Sequence, residues 1–420
     1  MTISTTAPAA APARVPRQLV YLGAGGIAIL LAVIAARSFT AQDLDVYRAA
    51  GRALLDGHNP YTHILGGTGV PYTYTPFSTL VFVPLALLSH TTGTIVITLV
   101  SLGCYWFVIG RFVEAALPEW DQTRRTEATA LVCLALLATE SVSQTLGFGQ
   151  INFILMAVVV ADVARRRPSA WQGIWVGFAT AFKLIPGIFI VYLLCTRRFR
   201  AAATASAGFA ATIAIGWIAM PAASHSYWLS GVGTDPRHIG GSAYLINESI
   251  LGVFARPMGY VAARPYWIAA AIPTLLIGMW IARRMHDHVG EIAGITVAAV
   301  IGELTSPISW NHHWTWFVVP ALFVGAEAWR RRSHALAIAV VVWSLPFYLA
   351  PYRLAPEANW SVDHHTWWES MLGSVYAAWA LTALVIAAIW LRRRDRGADR
   401  SGAAHRHVVD DQARQVVTTR

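Results

Sequence analysis

Two carboxylates, Asp43 and Asp45, open the stretch DLDVYRAAGRALLDGHNPYT (residues 43–62), just after a long apolar run that ends near Arg37. A carboxylate at the mouth of a membrane span is partly desolvated, which raises its basicity and suits it to take the proton of a hydroxyl. Asp43 has that position. Asp45, two residues on, points away from it if the chain is extended and about 200° around if it is helical. Asp45 is therefore the second choice as base and a candidate for sugar contact. The competing reading of each is a solvated loop acid or a helix cap.

Lys183, in GFATAFKLIPG, is the only lysine of the chain; every other basic residue is arginine. An ionisable group in so apolar a setting costs roughly 3 kcal/mol or more unless it meets an anion or water. A phosphate partner at a break between two helices fits, because helix N-termini at such a break favour the same anion. Snorkelling to an interface is the bland alternative. His312 and His313 are candidates for hydrogen bonds to that phosphate or to an acceptor hydroxyl, with Arg237 or Arg256 assisting. The pairs His312–His313 and His364–His365 are poor metal sites, since adjacent side chains diverge. No metal or other cofactor is expected. Tyr72, Tyr74 and Asn247 are candidates for sugar contacts, because rings stack on pyranose faces while amides and hydroxyls bind sugar oxygens. Trp367 and Trp368 read as an interfacial aromatic belt.

The elements that must position these groups are membrane helices. Of the 420 residues 56% are hydrophobic and 13% charged, and the mean hydropathy is +0.49, which excludes a soluble protein of this size. Arginines occur in short clusters between apolar runs rather than on one basic surface, a pattern of membrane topology and not of nucleic-acid binding. Cys104, Cys133 and Cys195 show neither disulfide nor zinc spacing. The first run, near 18–36, has a weakly basic leader and is long enough to span, so it reads as a membrane helix rather than a signal peptide.

Length and charge together predict about twelve spans, near 18–37, 93–111, 127–145, 150–164, 170–183, 184–196, 201–221, 265–283, 289–306, 314–329, 335–350 and 371–391. Both termini and the arginine clusters then lie in the cytoplasm, and the loops 38–92, 222–264, 307–313 and 351–370 lie outside. Residues 76–90, short and with two prolines, read as a helix in the outer interface. The stretch 170–196 reads as a hairpin of two short helices broken around 183–187. The organisation is a cytoplasmic tail (1–17), a transmembrane catalytic domain (18–392) and a cytoplasmic tail (393–420) whose polar composition predicts disorder.

Four segments carry a resemblance: DLDVYRAAGRALLDGHNPY, YTYTPFSTLVFVPLALL, GQINFILMAVVVADVARRR and GFATAFKLIPGIFIVYLL, in that order. Over roughly residues 18–392 the chain resembles the actinobacterial glycosyltransferase family 87, which includes polyprenyl-phosphate-mannose-dependent alpha-(1,2)-mannosyltransferases. Where many members have a Tyr-Pro-Pro run it has YTYTP. The resemblance implies an all-α polytopic fold of the GT-C type with the catalytic carboxylate in the first outer loop, here Asp43. It implies an inverting transfer of mannose from the polyprenyl-phosphate donor to a mannosylated lipid or lipoglycan acceptor at the outer face of the plasma membrane.

Such a transfer needs a base for the acceptor hydroxyl, a cation for the departing phosphate and a site that holds both in line. Asp43 and Lys183 are the candidates for the first two. Three rivals stand beside this reading: a lipid or glycolipid transporter, a GT-C enzyme using another polyprenyl-phosphate sugar such as glucose or arabinofuranose, and a membrane assembly factor without catalysis.

Overall fold

The computed structural model describes residues 40–418 except 62–69, 168 and 234, with the side chains of 236, 237 and 397–418 outside the description. The expected first span at 18–37 lies outside the described residues. The helices that bear on the site are α1 (Gln42–Leu55), α2 (Pro76–Ala86), α3 (His90–Ala116), α4 (Gln122–Leu136), α5 (Glu140–Gly147), α6 (Asn152–Val163), α7 (Ile174–Phe182) and α8 (Ile188–Cys195). They are followed by α9 (Phe199–Ala219), α10 (Ile250–Met258), α11 (Tyr260–His288), α12 (Glu291–Thr305), α13 (Val318–Arg331), α14 (His334–Leu349) and α15 (Val375–Thr418). Among the described residues the one β-type contact is a bridge between Asn247 and Trp310.

Among the described residues four helices are long and apolar enough to cross a membrane: α3, α9, α11 and the Val375–Arg396 part of α15. The pair α4 and α5, bent by 80°, makes a fifth if it counts as one span. Of the twelve segments predicted from the sequence, the first lies outside the described residues, and several others fall short of this length. Helices do form in the remaining segments, but most are short: α7 has 9 residues, α8 has 8 and α6 has 12. At 1.5 Å per residue these reach about 12–18 Å, well under the ~30 Å hydrocarbon thickness. Beyond residue 396 the backbone of α15 continues as helix to Thr418, where a polar tail suggested disorder; alanine and arginine there are good helix formers.

Breaks in the helices are what create the site. α7 starts under a carboxylate: Asp162 accepts from the N–H groups of Gly173 (3.0 Å), Trp175 (3.0 Å) and Val176 (3.1 Å), satisfying donors that a helix start leaves free. It stops at Phe182 because Pro186 has no N–H for the Phe182 carbonyl. Lys183 is consequently extended (φ −125°, ψ 140°), and the chain resumes through a 3-10 turn, Ile185–Gly187, into α8. The predicted break at 183–187 is thus where the chain bends.

A second break joins α5 to α1. Gln150 N–H donates to the Thr145 carbonyl (2.9 Å) and Gly149 N–H to Leu146 (3.1 Å), the two bonds of a Schellman ending with Gly149 at φ +67°. The carbonyls of Gly147 and Phe148, left open by that ending, accept from Ala41 (3.0 Å), Asp43 (3.0 Å) and Leu44 (3.3 Å) N–H. The C-terminus of α5 therefore caps the N-terminus of α1, an alignment that the two helix dipoles also favour. One turn fixes both Asp43 and Gln150.

α2 closes the other side of α1. Pro76 sits at its first turn, where a missing N–H costs nothing. The Tyr47 ring stacks on Phe82 with centroids 4.3 Å apart, and Gly51 lets the α2 backbone pass so close that a β-carbon would lie 2.8 Å from the Phe82 carbonyl oxygen. The Thr75 hydroxyl bonds the Ala181 carbonyl, tying the segment before α2 to the last turn of α7.

Candidate active site

Lys183 is the hub. Its Nζ donates to Gln150 Oε1 (3.1 Å) and Asn152 Oδ1 (3.1 Å) and lies 3.2 Å from Nε2 of His313. An ammonium has three donors and no acceptor, so the neutral shell uses all three and His313 Nε2 must be the acceptor. The cation also stands 5.4 Å from the Tyr74 ring centroid. Gln150 Oε1 accepts in addition from Tyr47 Oη (3.1 Å) and Tyr74 Oη (3.4 Å), and the two tyrosine hydroxyls are 2.8 Å apart.

Asp43 faces this hub from α1. It is half-buried, and its carboxyl engages the Gln150 side chain and the Lys183 charge. Burial pushes its pKa up from 3.8 to about 6, with Lys183 and Gln150 opposing the rise. A base tuned close to neutrality is both ionised and basic at physiological pH. Asp45 is turned elsewhere: Arg48 (3.0 Å) and His90 (3.5 Å) hold it, and Arg48 in turn donates to the Leu88 carbonyl (2.9 Å). Asp45 thus fastens α1 to the turn before α3, and the expected sugar contact gives way to that structural pairing.

His312 and His313 are both buried, at 5% and 8% exposure, in the turn that precedes α13. Burial and the neighbouring Lys183 charge hold both imidazoles neutral. The His312 carbonyl accepts from Thr145 Oγ1 (2.9 Å) and Asn152 Nδ2 (2.9 Å), which fixes the turn beneath Lys183. Neither ring nitrogen of His312 has a partner. A polar group so buried is stable when a ligand or water meets it, which suits the expected contact with phosphate or hydroxyl.

An open cleft begins at Lys183, Asn152, His313 and Glu303 and continues between apolar walls that include Met156 and Phe189. Its polar end and greasy flank suit an amphiphile. Lys183 lines this cleft, and its charge also acts on Asp43.

Tyr74, at 5% exposure, meets Lys183 with its ring and Gln150 with its hydroxyl. Tyr72 lies behind it, wholly buried, its hydroxyl bonded to Ser78 Oγ (2.5 Å) and Thr79 Oγ1 (3.2 Å), so it supports Tyr74 rather than meeting a sugar. Asn247 is also corrected: its Nδ2 donates to the Ser242 (2.8 Å) and Pro307 (3.2 Å) carbonyls. Its Oδ1 accepts from Ser249 (3.3 Å) and Ser309 (2.9 Å) N–H. With those bonds made it is a buried clasp between two loops. Arg256, wholly buried, is likewise spent on the carbonyls of Tyr244 and Asn247 and on Ser374 Oγ. The side chain of Arg237 lies outside the described residues. Gln150, Asn152, Tyr47 and Glu303 were not singled out in the sequence, although a carboxylate in the apolar run 289–306 carries the same signal as Lys183.

The sequence profile of glycosyltransferase family 87 matches residues 72–307, more than half of the chain. The chain belongs to glycosyltransferase family 87. The matched region includes Lys183 and Glu303 and stops short of Asp43 and of His312 and His313. The polyprenol-phosphate-mannose-dependent alpha-(1-2)-phosphatidylinositol mannoside mannosyltransferase of Mycobacterium tuberculosis is 30% identical over 84% of this chain and 85% of its own. The protein of the same name from Mycolicibacterium smegmatis is 32% identical over 82% of each. The polyprenol-phosphate-mannose-dependent alpha-(1-2)-phosphatidylinositol pentamannoside mannosyltransferase of M. smegmatis is 28% identical over 81% of this chain and 83% of its own. Among solved structures, ArnT from Cupriavidus metallidurans bound to undecaprenyl phosphate covers 88% of this chain and 76% of its own with a TM-score of 0.37 and 15% identity, a likeness too distant to assign a fold.

Proposed function

We propose that the protein is an inverting mannosyltransferase that moves mannose from polyprenol-phosphate-mannose to a phosphatidylinositol mannoside, forming an alpha-(1-2) linkage. The names of the relatives supply the substrates, and the observation that carries the chemistry is the half-buried Asp43 facing the one lysine of the chain across Gln150. The acceptor hydroxyl enters on the Asp43 side. The donor lies with its phosphate near Lys183 and its prenyl chain along the apolar cleft.

In the step, the acceptor oxygen attacks C1 of the mannose as its proton passes to Asp43. The bond from C1 to the phosphate oxygen breaks with its electron pair on phosphate, and attack from the opposite face turns a β-linked donor into an α-linked product. Lys183 acts through its charge where water is scarce, the setting in which such a charge counts most. Direct coordination requires a phosphate oxygen to take the place of one neutral acceptor, Gln150 or Asn152. The unpartnered His312 ring is placed to bond the phosphate or the acceptor. Tyr74, packed beside Lys183, helps hold Gln150 in place.

In this reading the architecture is of the GT-C type, with the spans carrying the reaction to the outer face of the plasma membrane and both substrates held there by their lipid chains. Membranes supplied with radiolabelled polyprenol-phosphate-mannose and mannosylated phosphatidylinositol test it. Labelled product sensitive to an alpha-(1-2)-mannosidase is the expected result, and absence of transfer from this donor overturns the reading.

A further inference from the structure

The mechanism leaves unused a buried carboxylate that borders the Lys183 site. Glu303, at 8% exposure in the last turn of α12, accepts from Ser309 Oγ (2.6 Å) through Oε2, and the same oxygen lies 3.5 Å from Nδ1 of His313. On the far side of that imidazole, Nε2 is 3.2 Å from the Lys183 ammonium. An ammonium can only donate, so Nε2 carries the lone pair and the ring proton is on Nδ1. His313 Nδ1 is buried and otherwise without a partner, and Glu303 is the acceptor it faces.

We propose that Glu303 is a positioning residue: through His313 it holds the imidazole in the Nδ1–H tautomer, so that Nε2 remains an acceptor and fixes the direction of the Lys183 ammonium that lines the cleft. A residue that orients a histidine from behind commonly matters nearly as much as the histidine itself, with losses of about 10–100-fold on removal. Ser309 serves the same end one step further back, since its hydroxyl fixes Glu303 Oε2. The other charged and titratable groups around Lys183 are Asp43 on α1, Tyr47 and Tyr74 beside Gln150, and His312 on the turn before α13. None of them reaches His313 Nδ1.

This inference rests on the proposed reading of the site for its effect on rate, but its structural half is measurable without activity. Because Lys183 is the only lysine, labelling with [15N]lysine yields a single Nζ signal from the full-length protein in lipid nanodiscs. An ammonium held by three acceptors exchanges its protons with water slowly. The test compares wild type, Glu303→Gln and Glu303→Ala by Nζ proton exchange, and by kcat and KM for the donor lipid. Gln keeps an oxygen for Nδ1–H, and the Ser309 hydroxyl can rotate to accept from its amide.

The expected result is that Glu303→Gln keeps slow exchange and most of kcat. Glu303→Ala speeds exchange and lowers kcat about 10–100-fold at unchanged KM. Exchange and kcat both unchanged in Glu303→Ala overturn the proposal, as does Glu303→Gln impaired as much as Glu303→Ala, which would make charge or folding the operative property. If wild type itself fails to transfer mannose, the functional reading falls while the exchange comparison still decides the role of Glu303.

Discussion

The backbone N–H of Asp43 donates to the carbonyl of Phe148 at 3.0 Å, so the candidate base is placed by the end of a helix more than a hundred residues away in sequence. The same turn sends Gln150 into the site to bond Lys183. Asp43 and Lys183 are therefore aligned by one structural unit, the Schellman ending of α5.

That unit depends on Gly149. At φ +67° a side chain is disfavoured by roughly 1–2 kcal/mol, and a β-carbon there would lie 3.0 Å from Leu44 Cβ. Gly149→Ala is expected to lower the thermal midpoint and to reduce kcat more than KM, because Asp43 and Gln150 shift together. Thermal unfolding in detergent alongside steady-state kinetics checks this; unchanged kcat with a lowered midpoint would separate folding from alignment.

Lys183→Ala removes the cation and leaves Gln150, Asn152 and His313 without their shared donor. A loss of about 10²–10³ in kcat is expected. Lys183→Arg is expected to restore little, since a planar fork does not reproduce three donors converging from one nitrogen. Steady-state transfer rates at equal expression measure both.

The raised pKa of Asp43 gives two pH dependences of opposite use. As a base it works only when ionised, so kcat is expected to fall about tenfold per pH unit below roughly 6 and to level off above it. For stability, the folded state keeps the proton to about 6 whereas the unfolded chain loses it near 3.8. The contribution of this group thus favours folding at low pH and is lost as the pH rises through 6. Asp43→Asn is accordingly expected to raise the thermal midpoint at pH 7 while it removes activity. A lowered midpoint would contradict the account of its burial.

Much of this was legible in the sequence, for reasons that differ by residue. Asp43 and Lys183 stand out because ionisable groups at apolar borders are costly, and Pro186 announces the break beside Lys183. Gln150 and Asn152 were hidden: neutral amides at the head of an apolar run look like ordinary boundary residues, and only the fold brings them within 3.1 Å of the lysine. Asn247 and Tyr72 misled because residue type suggests a sugar contact while burial and backbone bonds decide otherwise. Hydropathy locates apolar segments without showing that a proline or a glycine turn cuts them short, so helix lengths were less legible than helix positions.

Asn247→Ala tests that correction. It strands the Ser249 and Ser309 N–H groups and the Ser242 carbonyl in a buried clasp, while the Pro307 carbonyl keeps the Ser249 hydroxyl, so stability is expected to fall by about 2 kcal/mol or more. KM for the acceptor is expected to stay the same in the protein that remains folded. A selective rise in acceptor KM at unchanged stability would return Asn247 to the sugar site.

The central claim is that Asp43 is the base, and mannosyl transfer by Asp43→Asn, beside Asp45→Asn and wild type at equal expression, tests it most directly. The account predicts a loss of about 10²–10⁴ for Asp43→Asn, with donor binding retained, and near-normal transfer by Asp45→Asn. Substantial transfer by Asp43→Asn, or a deeper loss in Asp45→Asn, would contradict it.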